Sequence, residues 1–179
     1  MLTQDNAVFI LIDYQERMLP AVHNHAEIGR KACILARGAR LLEMEVIVTR
    51  QYPKGLGDTV PALVEALGDH VFVDKDAFGC MAEPVFKEKL AALGKRNVIV
   101  AGVEAHVCVQ QTVLEMLDAG YAVYLAADCC GSRSKTDKGY AEWRMALAGA
   151  KMTTMESILF EIMRHKDHPA RKAIQALIK

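Results

Sequence analysis

Three residues with catalytic chemistry follow apolar, β-type runs in this chain: Asp13, Lys75 and Cys108. Asp13 comes directly after the run at 7–12, Lys75 lies just past a short run at 71–73, and Cys108 comes a turn after the fourth run. In an open parallel sheet, side chains beyond the carboxyl ends of neighbouring strands converge on one crevice. A thiolate there could attack an electrophilic carbon, with the carboxylate as proton acceptor and the ammonium as its electrostatic partner. We therefore predict one site made from these three residues.

Cys108 stands where a strand gives way to a helix. The apolar run at 98–103 is typical of a buried parallel strand. After that run, the apolar positions repeat with a helical period on one face: Val109, Val113, Met116 and Leu117. Gly120 ends the pattern, as glycine commonly does at a helix C-terminus. Because a helix N-terminus stabilises a thiolate, we expect the pKa of Cys108 to fall from about 8.5 into the range of about 3.5–7.5.

Strand and helix patterns alternate along the whole sequence. The predicted strands cover 7–12, 46–49, 71–73, 98–103, 122–126 and 152–154. The predicted helices cover 27–43, 59–67, 84–93, 107–119 and 138–148, with two more near the C-terminus. This alternation predicts a doubly wound α/β fold of three layers, in which a six-stranded, mainly parallel sheet of Rossmann-like topology is flanked by helices. The turn after the first strand has no glycine to hold a pyrophosphate, so dinucleotide binding is not expected.

Composition limits the class of protein. The 179 residues fit one domain over 1–179, and a hydrophobic content of 52% suits a sheet covered on both faces or a subunit interface, so we expect a homo-oligomer. The 22 basic and 22 acidic residues balance, and no basic block suggests a nucleic-acid surface. Apolar runs of about seven residues are too short for a membrane helix. With no secretory signal and five cysteines without disulfide-framework spacing, we expect a cytoplasmic protein.

The segments around the three candidate residues resemble the isochorismatase-like cysteine hydrolase family. Asp13 lies in Leu-Ile-Asp-Tyr-Gln, Lys75 in Asp-Lys-Asp-Ala-Phe, and Cys108 in Gly-Val-Glu-Ala-His-Val-Cys-Val. The resemblance runs from about residue 7 to about residue 162, and it is strongest for a compact branch whose substrate is unassigned. It implies an isochorismatase-like fold in which Asp13 is the proton acceptor, Lys75 the cation and Cys108 the nucleophile. It implies no cofactor.

The resemblance also implies how a substrate is held. A cis peptide bond between Val103 and Glu104 would aim the Glu104 N–H, together with the Cys108 N–H, at a developing oxyanion. Apart from the resemblance, Gln51 is predicted to line the pocket, and the partial desolvation that the chemistry requires makes three residues candidates for an apolar wall: Phe78, Val103 and Val107.

Several positions narrow the activity that the resemblance implies. The segment Thr49-Arg-Gln-Tyr-Pro lacks the Asp-x-His motif of nicotinamidase-like members, so no metal is expected. Cys108 is present, which argues against the vinyl-ether hydrolysis of true isochorismatases. Ala105 stands where many members have threonine, which removes one hydroxyl contact. His106 is adjacent to the nucleophile, but Asp13 holds the role of base in this kind of turn.

The sequence therefore predicts a cysteine hydrolase of small molecules that cleaves an amide-type C–N bond through a thioester. With reference pKa values, proton transfer from a thiol to a carboxylate is uphill by about 4.6 units, or roughly 6 kcal/mol, so the hypothesis requires a partly desolvated site. One alternative is a non-catalytic or redox-sensing protein that uses Cys108 as a peroxide-reactive thiol, and another is a scaffold protein. The neighbouring Cys129 and Cys130 leave a redox role open, whereas Cys33 and Cys80 are expected only to pack.

Overall fold

A parallel sheet of six strands organises the chain. The computed structural model describes residues 1–68, 70 and 72–179. The strands are β1 (Ala7–Ile12), β2 (Val46–Gln51), β3 (Phe72–Lys75), β4 (Asn97–Gly102), β5 (Ala122–Ala126) and β6 (Lys151–Thr153). Their order is β3-β2-β1-β4-β5-β6, and every neighbouring pair is parallel. The predicted doubly wound α/β sheet is confirmed, and Val71, the predicted start of the third strand, lies outside the described residues.

Helices follow the strands on both sides of the sheet. They are α1 (His25–Leu41), α2 (Pro53–Leu56), α3 (Pro61–Leu67), α4 (Pro84–Ala92), α5 (Gln110–Asp118), α6 (Lys135–Leu147), α7 (Met155–Met163) and α8 (Arg171–Ile178). A proline opens α2, α3 and α4, where its fixed φ suits the first helical position and its missing N–H costs nothing. The sequence pattern does not predict α2, nor a π-helical turn at Ala105–Val109 that directly precedes α5. Among the described residues, no helix combines the length and apolarity needed to cross a bilayer.

Every residue of β1 is buried, because helices cover both faces of the sheet. Phe9 and Leu11 face the core shared with α1, α3, α7 and α8. Val8, Ile10 and Ile12 face the core shared with α4, α5 and α6. Since a fully buried side chain of this size contributes about 1.5–3 kcal/mol, the continuous apolar run fixes β1 at the centre of three layers.

The strand order reverses between β1 and β4, and this place sets the position of the site. The register pairs Ile12 with Gly102, so Asp13 and Val103 emerge side by side at the carboxyl edge of the sheet. Glycine is required at 102, since a Cβ atom there would lie 2.6 Å from the carbonyl oxygen of Ile12. In open α/β sheets, ligands bind outside the carboxyl ends of the strands at such a reversal.

Candidate active site

Asp13 follows β1 at this edge, and its side chain is completely buried. Its φ of 56° lies in the left-handed region, which Asp and Asn adopt more often than other non-glycine residues. Oδ1 accepts a hydrogen bond from Thr49 Oγ1 at 2.7 Å, and Oδ2 lies 2.8 Å from Lys75 Nζ. Residues of β2 and β3, the two strands on one side of β1, therefore fix the carboxylate from two directions.

Lys75 ends β3, and its side chain is also fully buried. Besides its ion pair with Asp13, Nζ donates to Gln51 Oε1 at 2.6 Å, to Phe78 O at 3.0 Å and to Ala77 O at 3.2 Å. Burial by itself lowers the pKa of Lys75, but the nearby carboxylate and thiols bring the net pKa above the ordinary value. The ammonium stays charged, and the four surrounding oxygens use all three of its N–H donors.

Cys108 lies in the π-helical turn before α5 and is 2% exposed. Its thiol lies close enough to the Asp13–Lys75 pair for both charges to act on its pKa. Burial, followed by the negative charge of Asp13, raises the pKa of Cys108 to about 12, although the Lys75 ammonium acts in the opposite direction. The expected low pKa is therefore wrong, because desolvation and an adjacent carboxylate outweigh a helix terminus worth at most about 2 kcal/mol. At neutral pH the Cys108 side chain is therefore a neutral thiol.

A pair of buried glutamines supports Lys75 from behind. The Gln15 amide accepts from the Gln51 N–H at 2.7 Å and donates to Gln51 O at 3.0 Å and Gly57 O at 2.7 Å. With Gln51 held in this way, its side chain accepts from Lys75 and donates to Asp76 O at 2.8 Å. The side-chain amide of Gln51, a predicted substrate ligand, is thus already engaged in hydrogen bonds that position Lys75. Gln15 lies two residues after Asp13, but nothing in the sequence marks it as part of the site.

Thr112 and Cys80 were also missed as parts of the site. Thr112 Oγ1 donates to Cys108 O at 2.7 Å and accepts from the Cys80 N–H at 2.9 Å. Cys80 was expected only to pack, but it lies beside the ion pair, where burial and then the Asp13 charge raise its pKa to about 12. No sequence signal links these positions, since Thr112 belongs to α5 and Cys80 to the loop after β3.

The turn between β4 and Cys108 carries the predicted oxyanion donors. The peptide bond between Val103 and Glu104 is cis. Ala105 N–H donates to Gly131 O at 2.7 Å, and the Glu104 carboxylate accepts from the Arg133 N–H at 3.0 Å. These two contacts tie both sides of Glu104 to the segment after β5.

His106 makes its contacts beside this turn and lies outside the group of Asp13, Lys75 and Cys108. Its Nδ1 lies 2.9 Å from the Oγ of the buried Ser132 and 4.0 Å from the Glu104 carboxylate. The side chain therefore contacts the segment after β5.

The predicted apolar wall is divided. Val103 is completely buried, and Val107 packs, half-buried, against the core on the α5 side. The Phe78 side chain is 56% exposed and does not cover the triad within one chain, although its carbonyl accepts from Lys75. Phe78 stays a prediction as a substrate contact.

The clefts on the protein surface do not by themselves identify the functional site. A cleft of about 400 Å³ lies at the amino-terminal edge of β2, lined by Glu45 and Val46 among others, and a second cleft of about 320 Å³ borders Lys75. We place the candidate site at Asp13, Lys75 and Cys108, called the triad below, because these three buried side chains converge there. Burying charged groups costs free energy, so buried charges that converge commonly mark a functional site. Across the described residues, no three His, Cys, Asp or Glu side chains cluster as a metal site would require.

Comparisons with known proteins identify the family of this chain. The profile of the Isochorismatase domain matches residues 7–157. Isochorismatase domain-containing protein 1 of Salmo salar is 43% identical over 173 residues, which cover 96% of this chain and 60% of that protein. The chain thus spans less than two thirds of this relative.

Two solved structures cover nearly the whole chain. The Mar1 ribonuclease of Caenorhabditis elegans has a TM-score of 0.93 at 38% identity, covering 99% of this chain and 91% of that one. The YcaC gene product of Escherichia coli, described as an octameric hydrolase of unknown specificity, has a TM-score of 0.89 at 25% identity, covering 98% and 86%. The resemblance noted in the sequence is confirmed.

Proposed function

The chain belongs to the Isochorismatase domain family of isochorismatase-like hydrolases, and from that premise we propose that it cleaves amide-type C–N bonds of small molecules through a thioester on Cys108. One observation carries the proposal: the buried Cys108 thiol lies next to a carboxylate, Asp13, that is itself held 2.8 Å from a buried ammonium. A neutral thiol with a fixed proton acceptor suits attack coupled to proton transfer.

The reaction has two halves. Cys108 sulfur attacks the amide carbon while Asp13 takes the thiol proton, giving a tetrahedral oxyanion. The C–N bond then breaks, the leaving nitrogen takes the proton from Asp13, and a thioester remains. Water attacks the thioester while Asp13 takes its proton, the C–S bond breaks, and the sulfur recovers the proton as the acid leaves.

The raised pKa of Cys108 determines the timing of the proton transfer. Because the pKa is about 12, very little thiolate forms before substrate binds. The S–H bond must therefore break as the S–C bond forms, and the developing negative charge passes to the carbonyl oxygen. We assign the Glu104 and Cys108 N–H groups to that oxygen, where one such donor is worth about 3–4 kcal/mol at other enzymes. Lys75 acts on Asp13 electrostatically, since its donors are already used.

The proposal is tested by an activity panel on the purified protein. Acetamide, benzamide, N-carbamoylglycine and acetonitrile are each incubated with wild type, Cys108→Ala and Cys33→Ala, and released ammonia is measured. We expect turnover of at least one amide, abolished in Cys108→Ala and retained in Cys33→Ala, since Cys33 lies on α1 on the other side of the sheet. Turnover that survives in Cys108→Ala would refute the mechanism.

A second candidate function is RNA cleavage, favoured by the name of the Caenorhabditis elegans structure. RNA cleavage could depend on Asp13, Lys75 and Cys108, or it could be independent of all three residues. Fluorescently labelled single-stranded RNA, incubated with wild type and Cys108→Ala, distinguishes the cases. Cleavage by wild type in the absence of amide turnover would replace the amidase proposal.

A redox-sensing role is less well supported than hydrolysis. Peroxide reacts with thiolates, and the pKa of Cys108 near 12 leaves almost none at neutral pH. We further propose a homo-oligomer, supported by the octameric state described for the Escherichia coli YcaC protein, and a single catalytic domain over 1–179.

A further inference from the structure

An apolar stripe on α6 faces outward. With 3.6 residues per turn, four of its members lie within about 60° of one another around the helix: Thr136, Tyr140, Trp143 and Leu147. They stand opposite Ala141 and Met145, which face the core. Tyr140, Trp143 and Leu147 are 67%, 62% and 70% exposed. Contiguous apolar surface of this kind commonly marks an interaction site.

Charged residues flank the stripe in a pattern that is complementary to itself. Asp137 and Arg144 lie two turns apart on one flank, and neither has an ion-pair partner within the described part of the chain. On the face opposite the stripe, next to the core-facing Met145, Glu142 already pairs with Lys138 at 3.4 Å. When two such helices pack antiparallel about a twofold axis, each flank meets the same flank of the other copy in the reverse direction. Asp137 then faces the partner's Arg144, and Arg144 faces the partner's Asp137.

We infer that α6 is a self-association surface on which a second copy of this chain packs antiparallel. The charges that lack a partner within one chain neutralise each other across the twofold axis, and the two helix dipoles are opposed. Aromatic side chains bury about 150–250 Å² each, so the three large exposed residues supply roughly 300–500 Å² per copy, a large part of the ~800 Å² of a standard interface. The inference does not depend on the hydrolytic chemistry.

Trp143 reports on this surface directly, because it is the only tryptophan of the chain. Its emission is measured alongside sedimentation velocity on the full-length protein, as a function of concentration. We expect an assembled species with blue-shifted emission, and a red shift on dilution as Trp143 becomes exposed to water.

Charge exchange tests the antiparallel orientation. Asp137→Arg and Arg144→Asp, made singly, place like charges across the axis and should weaken association about tenfold or more. The combined Asp137→Arg/Arg144→Asp variant restores opposite charges in an antiparallel pair and should regain association. Val85→Asp, at a position 62% exposed on α4, is the matched control and should change nothing. Circular dichroism confirms that each exposed substitution leaves the fold intact.

Three results would overturn the inference. One is a wild-type protein that stays monomeric, with water-exposed tryptophan emission, at every concentration. Another is an assembly that persists unchanged in both single variants and in Leu147→Asp. The last is a combined charge variant that associates no better than the single ones. Amide turnover is measured separately, so failure of the hydrolase proposal would leave these results interpretable.

Discussion

We predict that the two residues of the buried Asp13–Lys75 pair differ in how much stability is lost when each is replaced. Lys75→Met leaves the Asp13 carboxylate in the interior with the Thr49 hydroxyl as a hydrogen-bond donor and without the ammonium that compensates its charge. An uncompensated buried charge costs about 3–5 kcal/mol, which lowers the Tm of a chain of this length by roughly 6–20 °C. Asp13→Asn leaves the ammonium with three neutral oxygens, so we expect a smaller loss of about 1.5–3 kcal/mol.

A double-mutant cycle measured by urea denaturation tests this reasoning. Asp13→Asn/Lys75→Met removes both charges and should cost less than the sum of the single variants, with a coupling free energy of about 2–3 kcal/mol. The exposed pair of Arg37 and Glu65, 3.3 Å apart, is the control and should show little coupling. Equal costs for the two single variants, or a coupling near zero, would show that the pair is not buried as described.

Further predictions concern pH, support of the site and close packing. Burial raises the pKa of Cys80 to about 12, above the value of about 8.5 for Cys in an unfolded chain. The stability gained from this difference in pKa is complete below pH 8.5 and is lost as the pH rises toward 12. Between pH 7 and 9.5, the free energy of unfolding should therefore fall about 1.4 kcal/mol more in wild type than in Cys80→Ala. Gln15→Leu should lower kcat by roughly tenfold to hundredfold with little change in KM, measured by steady-state kinetics on an amide found in the panel. Thr112→Val leaves the Cys80 N–H without its acceptor and should cost about 1–3 kcal/mol in urea denaturation. Gly102→Ala should lower the Tm, because the new Cβ meets a strand carbonyl at 2.6 Å; an unchanged Tm would contradict the packing of β1 against β4.

The sequence was informative where one physical rule dominates. The continuous apolar run of β1 gives its bounds, because a strand covered on both faces has no polar positions. The convergence of strand ends predicted that Asp13, Lys75 and Cys108 meet. Both results depend on topology, which the alternation of strand and helix patterns reveals.

Where opposing effects compete, the sequence was a poor guide. The pKa of Cys108 depends on a balance between desolvation, a carboxylate and an ammonium, and only the folded geometry decides its direction. Gln15 shows no special pattern, since its partners on Gln51 and Gly57 become neighbours only through the fold. The contact of the Phe78 carbonyl with Lys75 could not be predicted either, because it comes from the backbone and not from the apolar side chain named for the wall.

Trapping of the acyl-enzyme tests the central claim most directly. An amide that the panel identifies is mixed with wild type and quenched in acid, and peptides containing Cys108 are analysed by mass spectrometry. The account predicts an adduct equal in mass to the acyl group without the nitrogen of the cleaved bond, on Cys108 and no other residue, and none after treatment with hydroxylamine. Sustained amide turnover with no acyl group on Cys108 at any quench time, or an adduct that retains the nitrogen of the cleaved bond, would contradict it.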